Sequence, residues 1–521
     1  MNAIEAIKRE RDGLAVRDML DRYASSGWES IPDEDIQRLK WYGLFLRNPT
    51  PGYFMVRVRM PGGNTTTAQL RAVAEIAATH GNGVIDITTR QQVQLRQLRI
   101  EQVPDVFACL EAVGLTTLQT GMDNVRNVMT CPVAGLGPDE IVDTTAIVRA
   151  LNDEILGNPA YSNLPRKMNV AISGCPHNCV HMETQDLALV PAYYDLGHDR
   201  CPGFNVLVGG KLGSGGYRIA TPLDAFVHPM EAVSLCRAVI ELYRDHGPRE
   251  HRTQARLAFL IQAWGIARFR EVLEGKLRKR LAPAGTDARK SAEQDHVGIF
   301  RQRQRGLNYV GLKILVGRVT ADDVRRIADL ADRYGNGELR LGANQTVIIP
   351  HVSDRVVGAL AEEPVLARFT YNPSPLYKGL VSCVGSDYCN LAVIETKRRA
   401  VDTAKALEAR LGSKLKAITM HWSGCPASCG NHLVADVGLL GKKAKVDGKV
   451  VDAVDIYVGG RSGPDPKLAI KLMEDVPCEK LPSVLEGLLP YHTREKMHRV
   501  RGVLPQNRIQ KHTEESTQTV A

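Results

Sequence analysis

Two stretches of the chain show the same alternation of apolar and polar residues. Residues 54–60 read FMVRVRM and residues 312–319 read LKILVGRV, which predicts a β-strand with one buried face. A polar turn follows each, and then an amphipathic segment that begins at Thr66 or Thr320, residues typical of a helix N-cap. Gly-Asn-Gly and a second apolar strand, VIDITT or ELRLGA, come next in both. The pattern predicts a strand–helix–strand unit that occurs twice.

The repeat extends well beyond these units. SGCPHNC spans residues 173–179 and SGCPASC spans residues 423–429, and each reaches a Gly-Gly 34 residues after its first cysteine. The offset between the copies is 255 residues at Gly43 and Gly298, and 250 residues at the two cysteine phrases. So steady an offset indicates an internally duplicated chain with a pseudo-twofold axis. We expect a mixed α/β (α+β) fold in which the two small units pack together and each precedes a larger α/β segment.

Composition is that of a globular protein with about three or four domains. The 521 residues are 44% hydrophobic and 24% charged, and no apolar run approaches the roughly 20 residues that span a bilayer. The first twenty residues carry charges throughout and lack the apolar core of a secretory signal, which predicts a polar helix and a cytoplasmic protein without membrane contact. The net charge of +9 is spread along the chain and aromatic residues are only 5%, so an acidic protein or a small anion is favoured over nucleic acid.

Four of the eleven cysteines form two local pairs in the second half. Cys383 and Cys389 are spaced C-x5-C, and Cys425 and Cys429 are spaced C-x3-C. Four thiols are the ligand set of a [4Fe–4S] cluster. A structural zinc site is the alternative, although zinc usually takes tighter C-x2-C turns, and four unrelated buried cysteines are a further alternative. The spacing favours the cluster.

The first copy of the phrase, with Cys175 and Cys179, has no C-x5-C pair beside it. Its possible partners are Cys131, in NVMTCPVAG, and the more distant Cys201. A second cluster is one alternative. We expect instead that this copy kept its fold after the duplication and lost its metal.

The first half carries cations where the second half does not. Arg90 lies in TTRQ, where the other half has Asn344; Arg126 lies in DNVRNV; Lys167 and Asn169 lie in LPRKMN. Any one of these could be a solvated surface charge. However, Arg90 follows an apolar strand and Lys167 leads into another, and buried cations need an anionic partner. The pattern predicts an anionic substrate between the halves.

These motifs together with the duplication resemble the sirohaem-dependent nitrite and sulfite reductases, over nearly the whole chain from about Leu39 to Val503. The resemblance implies a [4Fe–4S] cluster bridged to sirohaem through the last of the four cluster cysteines, which here is Cys429. It also implies that substrate binds the distal side of the sirohaem iron. The catalytic residues it places there are Arg90, Arg126, Lys167 and Asn169.

The resemblance also implies a domain layout. A small ferredoxin-like domain is formed by both halves, and two larger α/β domains hold sirohaem and the Fe–S cluster. The expected segments are an N-terminal helical segment (1–40), two ferredoxin-like half-domains (41–110 and 296–355), two nitrite/sulfite reductase domains (120–285 and 375–503) and a polar tail (504–521), with a linker at Leu281–Asp295.

Asn169 bears on the substrate. Family members that reduce sulfite tend to carry Lys at this position, and the nitrite reductases carry Asn. Sulfite brings two negative charges and nitrite one, so a pocket with one cation fewer suits the monoanion. The expected reaction is the six-electron reduction of nitrite to ammonia.

The two halves use up the chain and leave no room for a flavin or nicotinamide domain, so an external carrier must supply electrons. A positive chain suits an acidic ferredoxin. We therefore expect a monomeric ferredoxin–nitrite reductase. A ferredoxin-dependent sulfite reductase is the nearest alternative, and a zinc-stapled, non-catalytic binding protein is a more remote one.

Overall fold

Four five-stranded sheets and the helices packed on them form the computed structural model, which describes residues 2–213, 215–291, 294–412 and 415–489. The helices α1 to α13 span Ala3–Glu10, Leu20–Ser26, Asp33–Arg38, Thr67–Thr79, Val103–Ala112, Thr145–Ile155, Ala232–His246, Leu257–Leu277, Ala321–Tyr334, Val357–Ala361, Pro375–Lys378, Lys397–Leu411 and Leu481–Leu488. The strands β1 to β20 span Leu44–Arg47, Thr50–Val58, Asn64–Thr66, Val84–Ile87, Val93–Leu98, Val170–Ile172, Leu187–Asp195, Arg200–Val208, Thr221–Val227, Thr286–Asp287, Gly298–Arg301, Leu307–Lys313, Arg318–Thr320, Glu338–Gly342, Thr346–Ser353, Leu380–Ser382, Met420–Ser423, Val437–Val446, Lys449–Val458 and Ile470–Pro477.

The two smaller sheets exchange a strand. The first has the order β1-β2-β5-β4-β13 and the second has the order β11-β12-β15-β14-β3, so each takes an edge strand from the other half of the chain. Thr65 of β3 pairs with Leu339, and Val319 of β13 pairs with Ile85, both in antiparallel register. The exchange fixes the two halves in one relative position.

The exchanged strands lead directly into the predicted helices. Thr66 caps α4 and Thr320 caps α9, and each forms a capping box with the third helical residue. The glycines before the two strands, Gly63 and Gly317, have positive φ angles of 77° and 69°. A Cβ atom on Gly317 would lie 2.4 Å from the carbonyl oxygen of Ile87, so glycine is required where the chain crosses between sheets.

Helices α4 and α9 pack together over a hydrophobic core to which both small sheets contribute. Val73 and Ile76 of α4 belong to the same buried cluster as Ile327 and Leu330 of α9. The two strand–helix–strand units therefore form one body. The predicted mixed α/β class and the internal duplication are confirmed.

Each larger segment carries one of the other two sheets. The third sheet has the order β10-β7-β8-β9, with β6 parallel to β7, and the fourth has the order β16-β17-β18-β19-β20. Strands β16, β17 and β18 run parallel. The cysteine phrases follow β6 and β17, so parallel pairing brings each phrase to the end of its sheet.

The predicted linker has a structural role beyond connection, because its residues Thr286–Asp287 form β10 and pair with Ala192 and Tyr193 of β7. The tail 504–521 and the end of the segment 375–503 lie outside the described residues. Within the described part of the chain, no helix is both long enough and apolar enough to cross a bilayer.

A buried ion cluster reinforces the strand exchange. The carboxylate of Asp86 on β4 contacts Arg96 at 2.7 Å, Arg318 of β13 at 2.9 Å and Lys397 of α12 at 3.4 Å. Burial alone would raise the pKa of Asp86, but these three cations hold it well below its usual range. One carboxylate thus connects the first small sheet, including its exchanged strand β13, with helix α12 of the second half.

We expect Gly317→Ala to lower the melting temperature by roughly 3–10 °C, because alanine at a positive φ is strained and its Cβ meets the Ile87 carbonyl. Gly358→Ala is the matched control: Gly358 lies in α10 with nothing within 4 Å of an added Cβ. That change should leave the melting temperature equal or slightly higher. Equal melting temperatures for the two variants, measured by calorimetry, would contradict this account of the crossing.

Candidate functional site

The four second-half cysteines lie in loops at the ends of two adjacent parallel strands. Cys383 directly follows β16, and Cys425 and Cys429 lie in the loop after β17. The Cys383 Sγ accepts a hydrogen bond from the Gly424 N–H at 3.2 Å, which connects the two loops. Cys389 lies on the loop that leaves Cys383.

These thiols are close enough to influence one another. Burial, together with the nearby Cys429, Cys389 and Cys383, raises the pKa of Cys425 to about 12. Cys429 is exposed and the other three are half-buried. None is in a disulfide.

The Arg90 loop of the first half contacts this cysteine loop directly. The Thr89 hydroxyl donates a hydrogen bond of 2.9 Å to the backbone carbonyl oxygen of Cys429. Arg90 is the next residue, in the turn between β4 and β5. Cys429 also raises the pKa of Arg90 by its charge, although burial lowers it more. The two halves thus meet where one carries cations and the other carries thiols.

Backbone pairing brings the other predicted residues together. Val125 and Met168 form a parallel bridge, in which the Arg126 N–H donates to the Met168 carbonyl at 2.8 Å. This sets Arg126 beside Lys167. The pKa of Lys167 lies well below its usual value because the side chain is desolvated and because Arg90, Arg256 and Arg126 repel its charge.

The cations of this cluster have no carboxylate partner among the described residues. The Arg90 guanidinium and the Lys167 ammonium make no hydrogen bond or ion pair there, and Arg126 donates to the carbonyls of Thr120 and Met122 while its Nε has no partner. Burial, followed by repulsion from other arginines, lowers the pKa of Arg126 well below its usual value. Arg90, Arg126 and Lys167 are half-buried. Cations without a partner in a partly desolvated site favour bound anions, so the cluster fits an anionic substrate and the carboxylates of a cofactor.

The backbone of Asn169 is hydrogen-bonded to a buried ion pair. Its backbone N–H donates to Asp186 Oδ2 at 2.7 Å, and Asp186 pairs with Arg256 at 2.6 Å with both side chains fully buried. The Asn169 Oδ1 is buried without a hydrogen-bond partner. The amide is therefore positioned by its backbone and is available to a ligand.

Two further arginines of the first half join the cluster and were not predicted. Burial, together with repulsion from Arg47 and Arg90, lowers the pKa of Arg57 to about 9. Burial lowers the pKa of Arg47 to about 10, with Cys389 and Cys429 acting in the opposite direction. A comparison of the two halves could have identified Arg57. The strand registers place Gly311 at the equivalent position of the second half, so this cation is present in the first half alone of the two.

The first cysteine phrase lies beside more potential metal ligands than the sequence indicated. The described part of the chain contains one group of three or more His, Cys, Asp or Glu ligand atoms within 4.8 Å of one another, formed by Cys131, Cys175, Cys179 and His296. His296 was not predicted as a member. Cys201, the other possible partner, lies apart on β8.

Thiols beside unpaired cations are the arrangement expected of a redox centre that acts on an anion. Comparison with known families agrees. The family model described as "Nitrite and sulphite reductase 4Fe-4S domain" matches residues 121–281, and "Nitrite/Sulfite reductase ferredoxin-like half domain" matches residues 47–113 and 300–367. The chain belongs to this nitrite and sulfite reductase family, and is an oxidoreductase.

The similar proteins extend over most of the chain. A ferredoxin–nitrite reductase of Synechococcus elongatus is 47% identical over 94% of this chain and 96% of its own length. An assimilatory ferredoxin-dependent nitrite reductase of Haloferax mediterranei is 37% identical over 93% and 88%. The structure of the Mycobacterium tuberculosis NirA protein superposes with a TM-score of 0.89 at 32% identity, covering 94% and 93%.

These findings confirm several predictions. The resemblance to the family, the ferredoxin-like half-domains and the [4Fe–4S] cofactor are borne out by the matching family models. Membership also contradicts the alternative of a non-catalytic binding protein. The family model for the 4Fe–4S domain matches the first half, whereas the four predicted ligands lie beyond it in the second.

Proposed function

We propose that this chain reduces nitrite to ammonia, in a six-electron reaction at sirohaem coupled to a [4Fe–4S] cluster, with reduced ferredoxin as the electron donor. The observation that carries the proposal is the meeting of Arg90, Arg126 and Lys167, which lack carboxylate partners among the described residues, with the loop of Cys429. The relatives named as ferredoxin–nitrite reductases support it.

The residues that would hold the cluster are Cys383, Cys389, Cys425 and Cys429, and Cys429 would also help to hold sirohaem. When bound, sirohaem and the cluster supply the electron-transfer chemistry that side chains cannot provide. The unpaired cations support the assignment of sirohaem, because a cofactor with many carboxylates requires basic partners in a buried site.

The substrate-side residues have separate tasks. Arg90 and Arg126 bind the nitrite oxygens through charge-assisted hydrogen bonds. Lys167 lies beside Arg90 and Arg126 in the cation cluster, and its Nζ would supply protons to the oxygen that leaves as water. Asn169 holds the substrate oxygen with its amide and adds no charge.

Cys383→Ser should remove the cluster. We expect acid-labile sulfide to fall roughly fivefold or more, because a cluster with one thiolate replaced by a hydroxyl is held poorly. Cys109→Ser, at an exposed position on α5, is the control and should retain full sulfide, iron and visible absorption. Unchanged sulfide in the Cys383 variant would exclude this cysteine as a ligand.

Asn169→Lys should shift substrate preference towards sulfite. A fourth cation stabilises the dianion more than the monoanion, so we expect the ratio of kcat/KM for nitrite to that for sulfite to fall by about tenfold or more. Exposed Asn372→Lys adds the same charge outside the cluster and should leave the ratio unchanged. If the unmodified chain prefers sulfite, the function is that of a sulfite reductase instead.

Electron transfer from ferredoxin should depend steeply on ionic strength. A chain of net charge +9 attracts an acidic carrier, so raising salt from about 50 to 300 mM should slow ferredoxin-dependent turnover by on the order of tenfold. Turnover with a chemically reduced viologen, measured in the same buffers, corrects for direct salt effects on the site. Salt-independent rates with ferredoxin, or efficient turnover with NADPH alone, would argue against this donor.

A further inference from the structure

Four potential metal ligands converge in the first half, away from the cysteines assigned to the cluster. They are the sulfurs of Cys131, Cys175 and Cys179 and the Nε2 of His296, all within 4.8 Å of one another and all on buried residues. Cys175 and Cys179 Sγ are 3.8 Å apart, and His296 Nε2 lies 3.3 Å from Cys131 Sγ and 3.0 Å from Cys179 Sγ.

The separation of the Cys175 and Cys179 sulfurs is that of two ligands on one ion. The nitrogen–sulfur distances are shorter, so His296 and its two neighbouring sulfurs would move slightly apart on binding. With Zn–S bonds of about 2.3 Å and Zn–N bonds of about 2.0 Å, a tetrahedral site holds its sulfurs about 3.8 Å apart and sulfur and nitrogen about 3.6 Å apart. A disulfide between Cys175 and Cys179 would bring their sulfurs to about 2 Å. A [4Fe–4S] cluster would spread the ligands wider, because each binds a different iron.

The histidine is oriented as a metal ligand should be. Its Nδ1 lies 3.0 Å from the Tyr309 hydroxyl, so the other ring nitrogen is directed at the thiols. Metal-bound histidines almost always use their second nitrogen in this way, which fixes the tautomer and the ring orientation.

The duplication explains where the group comes from. Cys131, Cys175 and Cys179 correspond to Cys383, Cys425 and Cys429 of the second half. For the first pair, hydrogen bonding supports the match. The Gln91 side chain bonds the backbone of Thr130, just before Cys131, and the Gln345 side chain bonds the backbone of Ser382, just before Cys383. The position six residues after Cys131 is glycine rather than cysteine. His296, the residue directly after the linker, completes the set in its place.

We propose that Cys131, Cys175, Cys179 and His296 bind one Zn²⁺ as a closed, structural Cys₃His site. All four coordination positions come from the protein, which is the pattern of structural rather than catalytic zinc. A cavity of about 340 Å³, lined in part by Cys131, Cys175 and His296, provides an entry path. This assignment replaces the expectation that the first copy lost its metal.

The ion would connect the two halves of the chain, because its ligands come from both. His296 lies two residues before β11, where the second small sheet begins, whereas the three cysteines lie on loops of the first half. Zinc would therefore anchor the crossing between halves to the first large domain. It has no open position for substrate, so its role is in folding and stability.

The test is the metal content of the full-length protein purified with its cofactors. We expect about one zinc per chain, with zinc-edge X-ray absorption showing three sulfur ligands and one nitrogen. Iron should be about five atoms per chain, from one cluster and one sirohaem. Cys131→Ser should reduce zinc to below about a fifth of an atom per chain without changing iron, and Cys201→Ser, the control cysteine of the same half, should change neither.

A second variant covers the case in which Cys131→Ser does not fold. Tyr309→Phe keeps all four ligands but removes the hydroxyl beside His296, and should weaken zinc binding roughly 10–100-fold in competition with a chelator. Four results would each overturn the proposal. Two concern composition: iron near nine atoms per chain, and zinc-free protein from zinc-supplemented cells. The others are a Cys175–Cys179 disulfide in peptide mass spectra and an unchanged zinc affinity in Tyr309→Phe. Zinc content is measured without nitrite turnover, so this proposal and the proposed function can fail separately.

Discussion

The reciprocal exchange of β3 and β13 is the constraint on which the rest of the structure depends. A duplicated chain could fold as two independent copies, but here each small sheet is completed by a strand from the other half. Backbone hydrogen bonds of both sheets would be lost if the halves separated. Asp86 adds a buried charge network across the same junction. The exchange therefore sets, without any cofactor, how the cations of one half face the thiols of the other.

Duplication allowed the two copies to diverge in charge while keeping one backbone plan. The first half concentrates Arg57, Arg90, Arg126 and Lys167 without carboxylate partners among the described residues, a state that costs free energy until anions bind. The second half presents thiols on a loop that Thr89 contacts. In the proposed function, this unpaired charge is the preformed anion site that electrostatic preorganisation requires.

Local patterns carried much of the prediction. The alternation of residues 54–60 and the threonine caps depend on neighbours in sequence, and they are borne out as a strand and as capped helices. The cysteine spacings are equally local, and the ligand set that they predict stays a prediction. The pairing of β3 and β13 could not be predicted, because each strand is only three residues long and its partner lies more than 200 residues away. Arg47 was missed for a similar reason: its position beside the cysteine loop arises from packing between the halves.

The sequence by itself determined the kind of chemistry, since residue types and their spacing limit which metals and anions a chain can bind. Only the tertiary structure decided which residues share a site. His296 shows the difference most clearly: it stands 117 residues from Cys179, in a polar segment with no motif, yet its Nε2 lies 3.0 Å from that sulfur. No local pattern encodes such a contact, because it is created by the packing of the linker onto the first half.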